Sequence, residues 1–174
     1  SENIEDLIFE WRDDVIEDVQ NSIENYKTQY ESLDEFSNYV DDELSLLLSD
    51  NVKKHLLKDL EINDDFDIIA SLENIYLKNF ESDKENFMNL ARIGALSFID
   101  QSWKNHLSEM DYLRSGIGLR AMGQRDPLVE YQKEGYDLFE ELIDNVKLSV
   151  VRLLLNFEKV SQDNKKVEKK ESKK

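Results

Sequence analysis

The chain has 174 residues, about one domain's worth, and its formal net charge of -17 at pH 7 disfavours binding to nucleic acid. It contains no cysteine, which excludes disulfides, thiolate metal sites and cysteine nucleophiles. Five glycines and one proline are few for this length, and the composition is typical of an all-α protein with no membrane-spanning segment.

Apolar residues recur at three- and four-residue steps along most of the chain, which predicts helices rather than strands. We expect six helices, at residues 3–30, 33–48, 52–60, 66–80, 83–115 and 127–157. The polar stretch from Asn63 to Asp65 should be a connection. Because the chain begins with Ser1 rather than methionine, we interpret it as a segment of something longer or as a processed chain.

The fifth predicted helix should be long. Ser82 followed by Glu85 has the spacing of a capping box, in which each side chain bonds the other residue's backbone amide. If the helix runs to Ser115 it spans roughly 50 Å. Gly116 and Gly118 should end it, because glycine readily adopts the left-handed conformation at a helix C-terminus.

The sixth helix should begin at Asp126 and Pro127, since aspartate is a good N-cap and proline suits the first helical position. About ten residues join it to the fifth helix, so the two should form a long antiparallel hairpin. Two helices cannot cover each other's apolar faces on all sides. Either the first half of the chain or a partner should therefore pack along the hairpin.

Charge is unevenly distributed along the chain. Residues 1–82 carry 23 acidic and 6 basic side chains, whereas residues 161–174 carry 3 and 6. This lysine-rich end lacks apolar periodicity and is predicted to be a disordered, solubilising segment. Contact of its lysines with an anionic membrane surface is the alternative, and the interspersed Glu168 and Glu171 weaken it.

Three sequence patterns resemble catalytic or metal-binding motifs without completing them. Gly118 to Gly123 is half of a phosphate-binding loop, but the required lysine and hydroxyl residue do not follow. Asn63, Asp65 and Asp67 begin like a calcium loop that lacks its glycine. His106 lies on an apolar stripe and is predicted to be a hydrogen-bonded packing residue. We expect no catalytic residue, metal or cofactor in this chain.

The connection between the two long helices attracts more interest. Its sequence is Gly118, Leu119, Arg120, Ala121, Met122, Gly123, Gln124 and Arg125. One interpretation is a plain helix connection, in which the arginines bond helix carbonyls and Asp126. The other is a contact site, in which a flexible methionine meets varied apolar side chains and the arginines meet acidic or backbone groups of a partner.

A family resemblance favours the contact site. The residues that carry it are WKNHL at 103–107, MDYLR at 110–114, QRDPLVEY at 124–131 and KEGYDLF at 133–139. This run closely resembles the C-terminal helical region of SecA, the ATP-driven motor of bacterial preprotein export. Its residue choices resemble those of the actinobacterial branch of that family. Many members carry a tyrosine at the tip, where this chain has Met122.

The resemblance implies a division of the chain and a role. Residues 1–29 would end a scaffold segment, 30–82 would form a helical wing domain, and 83–160 would form the two-helix finger and adjoining helix of the scaffold. The finger tip, residues 118–125, would contact the mouth of the SecY channel and the unfolded preprotein. ATP and magnesium would be bound by motor domains that lie elsewhere in the parent protein, on the cytoplasmic face of the plasma membrane.

Two further readings stay open at this point. A free-standing helical adaptor or oligomerisation module would pair through the exposed stripes of the hairpin. An acidic helical enzyme that uses carboxylates has little support, because acidic pairs such as Asp13-Asp14 and Asp41-Asp42 are expected to be solvated neighbours.

Overall fold

The computed structural model describes residues 3–29, 32–60, 67–120 and 126–158. Within these ranges the chain forms six helices and no strand, so the predicted all-α class is confirmed. They are α1 (Ile4–Lys27), α2 (Leu33–Leu47), α3 (Asp50–Leu60), α4 (Ile68–Ser82), α5 (Lys84–Arg120) and α6 (Pro127–Leu155). None of these helices is both long and apolar enough to cross a lipid bilayer. The predictions for 63–65 and 161–174 concern residues outside the described ranges.

Side-chain caps set most helix starts. Asn3, Ser32, Asp67 and Asp126 each accept a hydrogen bond from a backbone N–H in the first turn of the helix that follows, as expected for short polar residues at the N-cap. Asp67, which belongs to the incomplete calcium-loop pattern, accepts from the amides of Ile69 at 2.9 Å and Ala70 at 3.2 Å. Its carboxylate is therefore engaged in starting α4.

The predicted capping box at Ser82 is wrong by one residue. Ser82 is the last residue of α4, and its hydroxyl donates to the carbonyl of Asn79 at 2.7 Å. Asp83 accepts from the backbone amide of Asn86 at 3.3 Å instead, and also from the Asn86 side chain at 2.7 Å. A carboxylate three residues before the recipient amide is the stronger acceptor, so α5 starts at Lys84.

The predicted stop at Gly116 and Gly118 is also wrong, because α5 continues to Arg120. A Cβ built on either glycine meets nothing within 4 Å, so no neighbour requires a glycine there. Glycine permits a left-handed turn without imposing one, and its cost inside a helix is only about 1 kcal/mol relative to alanine. Continuous packing of α5 against α6 outweighs that cost.

The core contains side chains from all six helices. Its centre is a set of edge-to-face aromatic rings, in which Phe9 lies 5.2 Å from Phe80, and Phe87 lies 5.2 Å from Tyr76 and 5.5 Å from Phe157. Such ring pairs stabilise by about 0.5–1.5 kcal/mol each beyond the area they bury. They join the start of α1, the end of α4, the start of α5 and the residues after α6. The predicted division of the chain at residues 30 and 83 stays a prediction.

Asn156 fixes the break between α2 and α3. Its side-chain amide donates to the carbonyl of Leu47 at 2.8 Å, and its oxygen accepts from the amide of Ser49 at 2.7 Å. Leu48 between them has an extended backbone, which ends α2. Asn79 likewise donates to the carbonyls of Leu154 and Leu155 at 2.9 Å. Polar side chains thus hold the C-terminus of α6 to the first half of the chain.

Candidate functional site

The predicted tip residues lie at the far end of the α5–α6 hairpin. Gly118 is exposed near the end of α5, and the backbone of Leu119 and Arg120 completes that helix. Ala121, Met122, Gly123, Gln124 and Arg125 lie outside the described residues. Asp126 resumes the described chain, and its carboxylate accepts from the amide of Leu128 at 2.8 Å to start α6. The structure thus brings both flanks of the predicted site to one end of the hairpin.

The two helices run antiparallel, as predicted. A Cβ on Gly94 would approach Leu153 of α6 to 2.5 Å, and a Cβ on Gly135 would approach Met110 to 2.9 Å. Between these points the ring of His106 lies 6.0 Å from that of Phe139. As residue numbers rise on α5 they fall on α6, so the helices remain in contact over most of their length. The glycines at 94 and 135 allow the close approach.

Burial differs sharply along the hairpin. We call residues 96–120 and 126–141 the outer hairpin, and the remainder of the fold the base. Among described residues of the outer hairpin only His106 and Leu113 are buried, at 7% and 4% exposure. The 25 residues from 96 to 120 extend about 36 Å along the axis of α5. This long segment is therefore held mainly by the contact between two helices, whereas α1, α2 and α4 pack near its base.

His106 only partly matches its prediction. It packs as expected, with its ring 5.5 Å from Trp103 and 6.0 Å from Phe139. The predicted hydrogen bond is not observed at Nδ1, which is buried and has no partner among the described residues. A stripe at helical spacing predicts burial of a ring but not what its nitrogens meet.

A row of large apolar side chains on α5 stays exposed. Ile93, Leu96 and Leu107 are 68%, 69% and 51% exposed, and Trp103 is 46% exposed. These positions are three to seven residues apart and therefore lie on one face of the helix. We call them the α5 stripe. An apolar row of this length on a solvent-exposed helix face indicates a surface that packs against another protein or domain.

Sequence reasoning missed the ion pairs that fasten the base. Lys147 of α6 donates to Asp14 of α1, and Lys53 of α3 donates to Asp41 of α2 at 2.9 Å. The prediction that Asp14 and Asp41 are merely solvated is wrong, because tertiary folding brings a lysine to each. The hydrogen bond that Lys147 donates to Asp14 raises the pKa of Lys147, against the opposing effect of its partial burial. No signal in the local sequence identifies a partner 133 residues away.

Arg114, a basic residue near the tip whose side chain the structure describes, has a weaker attachment. Arg114 pairs with Asp111 at 3.3 Å on the same helix face, with both side chains 76% exposed. An exposed pair of this kind contributes little to stability and is screened by salt. Its guanidinium can therefore exchange partners easily. Among the described residues no group of three histidine or carboxylate side chains could hold a metal ion.

Comparison with known proteins gives a consistent result. The family described as the SecA Wing and Scaffold domain matches residues 1–158. A protein translocase subunit SecA of Frankia casuarinae is 44% identical over 104 residues, covering 60% of this chain and 10% of that protein. The same subunit of Aliarcobacter butzleri is 38% identical over 120 residues, covering 68% and 13%.

A third relative, protein translocase subunit SecA 1 of Mycobacterium ulcerans, is 60% identical over 67 residues, covering 38% of this chain and 7% of that protein. Most of the relatives compared are actinobacterial, as the resemblance predicted. The chain spans about a tenth of the length of the relatives it matches.

Proposed function

The chain belongs to the SecA wing and scaffold family, and from this membership we propose that it is the force-transmitting segment of a protein-export motor. In this proposal the outer hairpin carries its tip, residues 118–125, into the mouth of the SecY channel. There the tip contacts the unfolded preprotein and couples ATP-driven movement to its advance. ATP binding and hydrolysis belong to other parts of the parent protein, and the motor acts at the cytoplasmic face of the plasma membrane.

The observation that carries the proposal is the shape of the outer hairpin. The two helices are in contact from Gly94 to Met110, about 24 Å along α5. Paired helices resist bending far better than a single one, and each presents its end at the same point. A connection held there can be displaced as a unit when the base moves. Because a motor for many preproteins cannot depend on one sequence, an adaptable apolar contact such as Met122 suits its tip.

The α5 stripe supports the same proposal. A lever must be attached to what drives it, and Ile93 in the base and Leu96 at the start of the outer hairpin are both exposed. The relatives that the chain matches are about ten times as long as the matched segment. We infer that further parts of such a parent cover the stripe. The alternative, a free-standing adaptor that pairs through the stripe, makes less use of the extended hairpin.

The proposal is tested in the full-length motor with a photoreactive amino acid at position 122. We expect crosslinks both to SecY and to a stalled preprotein, and none from the matched position 92, which is exposed at the base. The double variant Arg120→Glu/Arg125→Glu should impair export and leave basal ATPase activity largely intact. The control Arg92→Glu/Arg152→Glu makes the same charge change on exposed base residues and should export normally.

Three outcomes would contradict the proposal. Unchanged export by the tip variant would remove the arginines from the mechanism. Crosslinks from position 92 but not 122 would place the channel at the base instead. Should the tip variant lose basal ATPase activity as well, the residues would act on the motor domains rather than on the polypeptide.

A further inference from the structure

One flank of the outer hairpin carries a groove between α5 and α6. A cavity of about 520 Å³ lies between Tyr112 on α5 and Asp137 on α6, and a smaller one of about 100 Å³ adjoins it toward the base. Glu109, Leu138 and Glu141 line both cavities, so they form one continuous channel. We call this channel, between residues 102–113 and 134–145, the hairpin groove.

The hairpin groove is acidic along its rim and apolar along its floor. Four carboxylates line it, those of Glu109, Glu134, Asp137 and Glu141. Of these, Glu109, Asp137 and Glu141 form no ion pair with any described residue. No lysine or arginine lines either cavity. Three like charges along one channel repel one another, and a cationic ligand would relieve that repulsion. The groove therefore selects for positive charge.

His106 adds an independent indication of a ligand. His106 lines the smaller cavity and is only 7% exposed. Its Nδ1 atom has no hydrogen-bond partner among the described residues. Buried polar atoms are normally paired, and an unpaired one requires an explanation. Because this nitrogen is buried, a ligand that offers N–H donors would bond it only after a small movement of the ring, while the charge of the ligand meets the carboxylates. Ammonium groups of lysine have three donors and no acceptor, which fits both demands.

The chain itself contains a segment with this chemistry. Residues 161–174 hold six lysines in three adjacent pairs, at 165–166, 169–170 and 173–174, and their net charge is +3. The sixteen residues after Glu158 can reach at most about 53–58 Å. Asp137 lies only about 27 Å back along α6 from Leu155. The segment can thus run back along α6 and place its lysine pairs beside Glu141 and Asp137.

We propose that the lysine-rich segment 161–174 docks in the hairpin groove of its own chain, with lysines against Glu109, Asp137 and Glu141. This inference does not depend on the proposed transport function. An attached segment binds at high effective concentration, so even individually weak ion pairs suffice to hold it.

A second acidic groove is the competing site for the same segment. It lies between α1, α2 and α6, has a volume of about 660 Å³, and is lined by five carboxylates, those of Asp14, Glu17, Asp18, Glu43 and Asp144. Lys147 also lines it and pairs with Asp14, so this groove already holds a cation, whereas no lysine or arginine lines the hairpin groove. No buried unpaired polar atom lies in its wall. These residues therefore provide a matched control.

The test uses the full chain, whose lack of cysteine allows a single nitroxide spin label at Ser172→Cys. In the ¹⁵N-labelled protein we expect paramagnetic broadening of the backbone amides of residues 106–113 and 134–142. The variant Glu109→Gln/Asp137→Asn/Glu141→Gln should lose this broadening. So should the parent at an ionic strength of about 1 M, where the Debye length is about 3 Å. The control Glu17→Gln/Asp18→Asn/Asp144→Asn should retain it.

Any of three results would overturn the proposal. Broadening that is absent from the groove amides, or concentrated instead on α1 and α2, would show that the segment does not dock in the hairpin groove. Broadening that persists in the groove variant would exclude the three carboxylates as the site. Broadening of the same amides in a mixture of ¹⁵N-labelled chain without a spin label and unlabelled chain with one would show that the segment docks on a second copy. The carboxylate variants change only exposed residues, so loss of fold is not expected to mask the result.

Discussion

Leu113→Ala should loosen the outer hairpin without unfolding the base. Leu113 is 4% exposed and, with His106, supplies the buried side chains of the described outer hairpin. Replacing a buried leucine with alanine costs about 2–5 kcal/mol, and less where the surroundings collapse into the space. Leu113 borders the open hairpin groove, which makes collapse easy. We therefore expect a cost at the lower end, about 2–3 kcal/mol.

Amide hydrogen exchange measures this cost separately for each part of the fold. A loss of about 2–3 kcal/mol raises the opening equilibrium of the affected amides about 30- to 150-fold. We expect that increase at residues 106–117 and 131–141, and little change in the amides of α1 and α4. The matched change Leu154→Ala, at a site with 0% exposure in the core, should instead accelerate exchange throughout the fold.

The reasoning fails if Leu113→Ala accelerates exchange equally in the base and in the outer hairpin. That result would mean that the whole fold opens as one cooperative unit, and the distinction between base and outer hairpin would have no energetic meaning. If Leu113→Ala leaves the exchange rate of every amide unchanged, Leu113 contributes nothing to the contact between α5 and α6.

Two further predictions concern the base. Tyr76→Phe should raise the urea midpoint of unfolding, by an amount that corresponds to about 1 kcal/mol, because the Tyr76 hydroxyl is buried and has no partner among the described residues. A lower midpoint would show that this hydroxyl does form a hydrogen bond. Asp14→Asn should be less stable than the parent below about pH 10, and the difference in urea midpoint should shrink as the pH rises further. Its cause is the raised pKa of Lys147: the ion pair stabilises the fold while Lys147 is charged, and that stability is lost as the pH passes through the folded-state pKa. A difference independent of pH would contradict this.

Helices were predictable from the sequence because their apolar spacing reflects the core they pack against. The N-cap at Asp126 was equally clear, since proline at the next position leaves few alternatives. The start of α5 was not, because Ser82 and Asp83 are both good caps and only the packing of α4 decides between them. The glycines at 116 and 118 misled for a related reason: they remove a steric barrier but exert no force.

The candidate site was less predictable than the fold. Hairpin geometry followed from the length of two stripes and the short connection between them. The pairing of Asp14 with Lys147 depends on tertiary contact between distant parts of the chain. The hairpin groove likewise arises only when α5 and α6 lie side by side, because its carboxylates come from both helices. Sequence periodicity places a residue on a face, and it does not reveal what faces it across a gap.

The ring network of the base has a mechanical consequence. Phe9 near the start of α1 and Phe157 just after α6 are connected through Phe80 and Phe87, each ring centroid within 5.6 Å of the next. Tension applied at either end of the described chain would thus reach this one cluster of aromatic rings, which lies at the opposite end of the fold from the hairpin tip. A small rotation of the cluster would displace the hairpin tip by a larger distance, because the tip lies farther from the point of rotation.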